Sequence, residues 1–131
     1  MFLLDTNAVS EIIKPRANAS VVERILETPA SQRFASELTR YELRMGATSS
    51  KDGKPMWRRI ARTIISLMQW LDMTESISLN TGDVAGRLRQ VGQPCGTIDP
   101  LIAGTALSHG PILVARNVHH FEPIDELTVE N

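Results

Sequence analysis

The chain has 131 residues, of which 42% are hydrophobic and 22% charged, and its formal net charge is −1 at pH 7. This composition is typical of a soluble globular domain, here predicted over residues 1–131, and no apolar run approaches the roughly 18–20 residues of a membrane span. The single cysteine, Cys95, excludes an internal disulfide and agrees with a reducing, cytoplasmic location.

The hydrophobic pattern predicts short apolar strands alternating with helices. In chain order the elements are a strand at 2–4, helices at 8–14 and 20–27, a strand at 33–35, helices at 36–48 and 56–72, a strand at 77–79, helices at 81–91 and 100–108, a strand at 112–115 and a short edge strand at 128–129. Ser20 and Ser36 are predicted to cap their helices, and Asn80 or Thr81 the helix at 81–91. Apolar residues at every third or fourth position make 56–72 the strongest helix prediction.

Strands separated by helices favour an α/β fold, because parallel strands need long crossover connections whose helices cover the sheet. We therefore expect a central parallel sheet of four to five short strands, flanked by helices on both faces. In open sheets of this kind, ligands bind at the carboxyl ends of the strands. Polar residues at those ends are the first candidates for a functional site.

Four polar residues fall at such positions. Asp5 follows the first strand, Asp99 precedes the helix at 100–108, and Asn117 follows the fourth strand. Glu42 lies in the helix after the second strand, which can cover the same edge. Carboxylates gathered at one edge repel each other, and a hard cation such as Mg²⁺ or Mn²⁺ relieves that repulsion. Since such an ion activates water and neutralises phosphate charge, the pattern predicts metal-assisted phosphodiester hydrolysis.

Each of these residues also has a purely structural interpretation. Asp5 and Asp99 are placed like helix N-caps, the latter followed by Pro100 at the first helical position. Glu42 could be a solvated helix residue, and Asn117 a turn former. Capping and metal binding do not exclude each other, and the joint placement of the four residues favours a site.

Charge is unevenly distributed along the chain. Residues 40–62 have a local charge of +5, because they include seven basic side chains and only two acidic ones, Glu42 and Asp52. The basic side chains are Arg40, Arg44, Lys51, Lys54, Arg58, Arg59 and Arg62. A basic helical face can follow a phosphate backbone, but charge alone favours a solvated helix surface.

Four motifs occur in order between residue 1 and about residue 121. They are Leu3-Leu4-Asp5-Thr6-Asn7-Ala8-Val9-Ser10-Glu11, Ser36-x-x-Thr39-x-x-Glu42-Leu43-x-x-Gly46, Ile98-Asp99-Pro100-Leu101-Ile102-Ala103-Gly104-Thr105-Ala106, and Leu113-Val114-Ala115-Arg116-Asn117 with Phe121. Together they resemble the motifs of PIN-domain ribonucleases from toxin–antitoxin systems, the VapC-like toxins. Any one motif is weak, whereas four in sequence at similar spacing form a specific signature.

The resemblance implies a PIN-like fold and an endoribonuclease that uses Mg²⁺ or Mn²⁺. It identifies Asp5, Glu42 and Asp99 as the metal-binding acids, and Asn117 as a fourth catalytic position. It also implies an RNA substrate, often tRNA or rRNA, and a homodimer. The expected partner is a VapB-like antitoxin whose tail enters the active-site groove.

Five further residues are candidates around this site. Thr6 and Asn7 match polar residues that support the first aspartate in the family. Arg116 is a candidate contact for the scissile phosphate, although pairing with a local acid explains it equally well. Arg40 and Arg44 are the other candidate RNA contacts.

Two departures from the family pattern lower the expected number of acids. His120 stands where many relatives have an acid before the last-motif phenylalanine, and Thr97 stands where some have an extra acid before Asp99. His120 could replace the lost ligand, since imidazole suits Mn²⁺ better than Mg²⁺. A surface histidine in a turn beside His119 is the preferred interpretation.

These departures keep a second function open, a PIN-like domain of weak catalytic activity that binds RNA or a partner protein. A third, a phosphatase or phospho-receiver domain built on Asp5, is disfavoured because such phosphatases need a second acid two residues on. Position 7 is Asn.

Overall fold

The computed structural model describes residues 1–93, 96–116, 118–124 and 127–131. Within this part of the chain, a parallel sheet has the strand order β3-β2-β1-β4-β5. The strands are β1 (Phe2–Leu4), β2 (Arg33–Ser36), β3 (Gln69–Leu71), β4 (Ile112–Val114) and β5 (Val129–Glu130). The predicted parallel sheet with flanking helices is confirmed, and β1 occupies its centre.

Helices connect these strands. They are α1 (Thr6–Ser10), α2 (Ala19–Glu27), α3 (Glu37–Ser49), α4 (Gly53–Thr63), α5 (Glu75–Gln90) and α6 (Ile98–His109). Single 3-10 turns occur at Glu11–Ile13, Ala30–Gln32, Ile65–Leu67 and Val118–His120. None of the helices in the described ranges is long and apolar enough to cross a membrane.

Each face of the sheet has its own core. Leu3 and Leu113 pack with residues of α5 and α6, such as Val84 and Ile102. Leu4, the next residue in β1, packs on the other face with α1 to α4. Because neighbouring side chains in a strand point to opposite faces, both must be apolar, and β1 is a continuous apolar run.

The third strand was predicted in the wrong place. Ile77 lies inside α5, whose N-cap Thr74 accepts a hydrogen bond from the Ile77 amide at 3.2 Å. Ile77 is fully buried, but Leu79 is 62% exposed, as expected for two helical residues about 200° apart and not for one face of a strand. The true third strand, Gln69–Leu71, pairs with β2.

The predicted helix at 56–72 is correspondingly too long, since α4 ends at Thr63. Ile64 and Met68 belong to the same buried core as Ile60, so the apolar periodicity continues past the end of the helix. Of the predicted caps, Ser36 is confirmed, because its hydroxyl accepts from the Leu38 amide at 3.1 Å. Asn18 caps α2 in place of Ser20.

Candidate active site

Asp5 sits at the point where the central strand turns into α1. Its amide donates to the Val114 carbonyl at 2.9 Å, so the pairing of β1 with β4 fixes its backbone. Its carboxylate accepts from the Ala8 amide at 2.8 Å and caps α1. The residue therefore is a helix cap, and it also stands at the carboxyl end of the sheet, where open α/β folds bind ligands.

Asp5 is only 7% exposed, and the pKa of its carboxyl is raised from 3.8 to about 6. Burial is the largest cause, since it removes water from the charged form. Hydrogen bonds from the Ala8 and Arg116 amides oppose the shift, whereas the charges of Asp99 and Glu42 add to it. The fold thus brings Asp99 and Glu42 close enough for each to repel the Asp5 carboxylate.

Hydroxyl groups hold the Glu42 side chain near this edge of the sheet. The Thr6 hydroxyl donates to Glu42 Oε1 at 2.6 Å, and the Thr39 hydroxyl lies 3.1 Å from that of Thr6. Thr39 is fully buried in α3, one turn before Glu42. Thr6 therefore contacts Glu42, and not the first aspartate as the family resemblance implied.

Two supporting positions differ from expectation. Asn7 is exposed and makes no side-chain hydrogen bond within the described ranges. Thr39 belongs to the second motif but was not among the predicted site residues. Its spacing of three residues from both Ser36 and Glu42 was the available signal, because one turn of helix places the three side chains in adjoining positions.

Asp99 lies in the first turn of α6 as the second residue of the helix, whereas the N-cap position predicted for it is occupied by Thr97. Negative charge is favoured there by the helix dipole. Asp99 Oδ2 lies 3.0 Å from His120 Nδ1, and the two side chains are 33% and 51% exposed. The prediction of a surface histidine in a turn is confirmed, and the structure adds a contact between that histidine and a site acid.

The predicted RNA-contact arginines differ in what surrounds them. Arg116 is exposed at the end of β4, and its charge helps to lower the pKa of Glu11, after the Lys14 side chain and the Asn18 amide. Arg40 donates to Glu37 through two nitrogens, at 2.6 and 3.0 Å, and its guanidinium lies over the Trp70 ring. The Arg40 guanidinium is thus paired with groups of the protein itself.

Asn117, the fourth predicted catalytic position, lies outside the described residues, and so does Cys95. Among the residues that are described, no three His, Cys, Asp or Glu side chains are gathered tightly enough to enclose an ion as they stand. Glu42 is turned toward Thr6 and Asp99 toward His120. The donor set itself, three carboxylates of which one is buried and has a raised pKa, is nevertheless that of a hard divalent cation.

The fold and the acids at its edge define the class of this protein. The sequence profile of the PIN domain matches residues 2–127. The chain therefore belongs to the PIN domain family.

Its relatives in that family are nucleases and toxins. The chain is 33% identical to the tRNA(fMet)-specific endonuclease VapC of Shigella flexneri, over 99% of this chain and 96% of that protein. Its structure is similar to that in the crystal structure of FitAcB from Neisseria gonorrhoeae, with a TM-score of 0.90 and 27% identity over 100% of this chain and 97% of that one. VapBC2 from Rickettsia felis, bound to a DNA fragment from its promoter, gives a TM-score of 0.87 and 27% identity over 99% and 97% of the two chains.

Proposed function

We propose that this chain is a metal-dependent endoribonuclease that acts as the toxin of a toxin–antitoxin pair. The convergence of Asp5, Glu42 and Asp99 at the carboxyl edge of a PIN-domain sheet carries the proposal. Support for RNA as the substrate comes from relatives named as a tRNA-specific endonuclease and as ribonucleases. A structured RNA such as tRNA or rRNA is accordingly the proposed substrate.

The three acids are the proposed ligands of Mg²⁺ or Mn²⁺, with Asn117 as a fourth catalytic residue. When bound, such an ion supplies Lewis-acid stabilisation of phosphate charge and lowers the pKa of a coordinated water. Without a cation, Asp5 keeps a proton up to about pH 6, because burial and two neighbouring acids oppose its ionisation. The remaining work of the chain is to hold these carboxylates in position and to bind the RNA.

Hydrogen-bond partners orient two of the acids. Thr6 fixes one oxygen of Glu42, the other has no hydrogen-bond partner among the described residues, and Thr39 holds the Thr6 hydroxyl in place. His120 fixes Oδ2 of Asp99 in the same way. Arg116, exposed beside the Asp5 carboxylate, is the proposed contact for an RNA phosphate next to the cleaved bond.

The proposed partner is a VapB-like antitoxin, as in the toxin–antitoxin complexes of similar fold. A homodimer and a cytoplasmic location remain predictions from the sequence. Tyr41 and Met45, one turn apart on α3, are 56% and 51% exposed and are suitable for contact with a second copy.

The alternative function, an RNA- or protein-binding PIN domain of weak activity, is favoured by one observation. The His120 ring contacts one oxygen of Asp99. An acid at position 120 would instead strengthen metal binding. A protein that binds RNA but cleaves none at millimolar Mn²⁺ would have this function.

Induced expression in a bacterial host tests the toxin proposal. We expect the parent protein to stop growth and to produce discrete RNA fragments, and Asp99→Asn to relieve both effects. Growth arrest of equal strength by the Asp99→Asn variant would contradict a mechanism that depends on RNA cleavage at these acids.

Separate substitution of two neighbouring histidines, His119 and His120, tests the role of His120. His119 Nδ1 lies 3.0 Å from Glu122, away from the three acids, whereas His120 contacts Asp99. We expect His120→Ala to lower the rate of RNA cleavage by about 10-fold, the scale of losing a residue that orients a metal ligand. His119→Ala is the matched control and should cleave at the parent rate. Equal rates for the two variants would show that the contact with Asp99 has no part in catalysis.

A further inference from the structure

A basic cleft lies between α3 and α4, on the far side of α3 from Glu42. The cleft has a volume of about 450 Å³, within the roughly 300–1,000 Å³ range of ligand sites. It is lined by Arg44, Ala47, Thr48, Gly53, Lys54, Trp57 and Arg58. Three of these residues are cations and none is an acid, so the cleft is suited to an anion.

Arg44 is held in this cleft without losing its hydrogen-bonding capacity. Its guanidinium lies 4.8 Å from the centre of the Trp57 ring, a cation–π contact that restricts the side chain. Trp57 also packs against the core on that face of the sheet, so the ring is a fixed support. Within the described ranges, Arg44 has no acidic partner and no hydrogen-bond acceptor.

Arg40 shows what a structural arginine looks like in the same surroundings. It lies one turn earlier on α3 and 4.3 Å from the Trp70 ring, but Glu37 accepts two of its hydrogen bonds. Its charge is paired with that of Glu37, and two of its donors are used. The contrast between two arginines with the same kind of ring contact identifies Arg44 as the one available to a ligand.

Lys54 and Arg58 add to Arg44 from the opposite wall. They are exposed and one turn apart on α4, which places their Cβ atoms about 5–6 Å apart. Neither has an acidic partner among the described residues. The three cations therefore line one cleft from two sides, without an acidic partner among the described residues.

The position of the cleft relative to the acids suggests its ligand. Glu42 and Arg44 are two residues apart on α3, so their side chains leave the helix in directions about 200° apart. Glu42 contacts Thr6 of α1, and Arg44 contacts Trp57 of α4. A polyanion reaching from one flank of α3 to the other would cross roughly 10–12 Å, the diameter of a helix.

We propose that the cleft lined by Arg44, Lys54 and Arg58 binds the phosphate backbone of an RNA strand several nucleotides away from the bond cleaved at Asp5, Glu42 and Asp99. This inference rests on the proposed ribonuclease function, because it names the second place where the same substrate is held. RNA is favoured over an acidic peptide because the acids on the other flank of the same helix are proposed to act on RNA. Trp57 supports Arg44 and does not stack on a base.

Binding of a labelled 20-nucleotide polyuridine, measured in chelator so that no cleavage occurs, tests the proposal. Removing three phosphate contacts should lower the affinity by about 10-fold or more. The dependence of log K on log salt should become shallower by about 2, at roughly 0.7 per contact for a single strand. The variant is Arg44→Gln with Lys54→Gln and Arg58→Gln, all exposed positions, and its melting temperature checks that it folds.

Arg40→Gln is the matched control for Arg44→Gln, since both remove one charge from α3. The control should bind within about two-fold of the parent, because a charge already paired with Glu37 contributes little to binding.

Three results would overturn the proposal. The triple variant could bind the 20-mer as tightly as the parent, or Arg40→Gln could weaken binding as much as Arg44→Gln. Polyglutamate of the same length could bind the parent as tightly as the RNA and be lost in the triple variant, which would make the cleft a site for acidic protein segments. Cleavage assays with Mn²⁺ run in parallel separate this failure from failure of the ribonuclease function, since the latter removes cleavage by the parent itself.

Discussion

Replacing Asp5 with asparagine should lower kcat/KM for RNA cleavage by about 10³-fold or more, which corresponds to several kcal/mol of lost transition-state stabilisation. Asn keeps the size of the side chain and can still accept the hydrogen bond from the Ala8 amide, so the cap of α1 is preserved. Only the negative charge beside Asp99 and Glu42 is removed. A loss of this size would therefore report the chemistry of the carboxylate and not a failure of the fold.

An exposed aspartate provides the control for this measurement. Asp83 lies on α5, and Asp83→Asn removes the same charge without touching the edge where the acids meet. We expect this variant to cleave RNA at the parent rate in the same assay. Cleavage by Asp5→Asn at the parent rate would show that the site has been assigned to the wrong residues.

The same substitution should stabilise the metal-free protein at neutral pH. The pKa of Asp5 is raised from 3.8 to about 6, so ionising it in the folded state costs about 3 kcal/mol, at 1.36 kcal/mol per pKa unit. A raised pKa means that the folded state holds the proton more tightly than the unfolded one. The stability due to Asp5 is therefore complete below pH 3.8 and is lost as the pH rises through about 6.

Denaturant unfolding in chelator at pH 4 and pH 7 measures this effect. Between the two pH values, the free energy of unfolding of Asp5→Asn should gain about 2 kcal/mol relative to the parent, since pH 4 already lies slightly above the unfolded pKa of 3.8. Comparing the change rather than the absolute values cancels any difference in packing between Asp and Asn. The Asp83→Asn variant should run parallel to the parent, and parallel curves for Asp5→Asn would mean that Asp5 ionises normally.

Together the two effects describe a residue kept for function at the expense of stability. A buried acid next to two others destabilises the folded state unless a cation neutralises it. Stabilising substitutions at such positions commonly remove activity. The combination of higher stability and lost cleavage in one variant would be strong support for a metal site at Asp5.

Much of the fold was predictable because burial leaves a clear mark on the sequence. The strand at Phe2–Leu4 is apolar on both faces since cores lie above and below it. The strand at Gln69–Leu71 was missed because it is short and follows a helix whose apolar pattern continues toward it. Local periodicity contains no information on pairing with β2, which is a contact between distant parts of the chain.

The convergence of the acids was predicted from topology, whereas their contacts were not. Parallel strands bring Asp5 and Asp99 to one edge whatever the details of the loops, and the effect of Asp99 on the pKa of Asp5 agrees with that expectation. The bond between His120 and Asp99 depends on the path of the chain between α6 and the turn at Val118–His120. No rule of spacing links two residues separated by a helix and a strand.

For the basic residues as well, one property was predictable from the sequence and another was not. The positive charge of residues 40–62 was evident from the sequence, but the roles of its members were not. Arg40 and Arg44 both lie over a tryptophan ring, but only Arg40 is also paired with Glu37 among the described residues. That difference arises because Glu37 and Arg40 are one turn apart on α3, so that a local ion pair neutralises one cation and leaves the other available.

The rate of RNA cleavage as a function of free Mn²⁺, recorded at pH 7 and at pH 5, tests most directly whether these acids form a metal site. We expect no cleavage in chelator and a rate that saturates with Mn²⁺. At pH 5 the curve should move to higher Mn²⁺, because protons compete for Asp5 below its pKa of about 6. Cleavage that persists in excess chelator, and that Asp5→Asn leaves intact, would contradict the proposed mechanism.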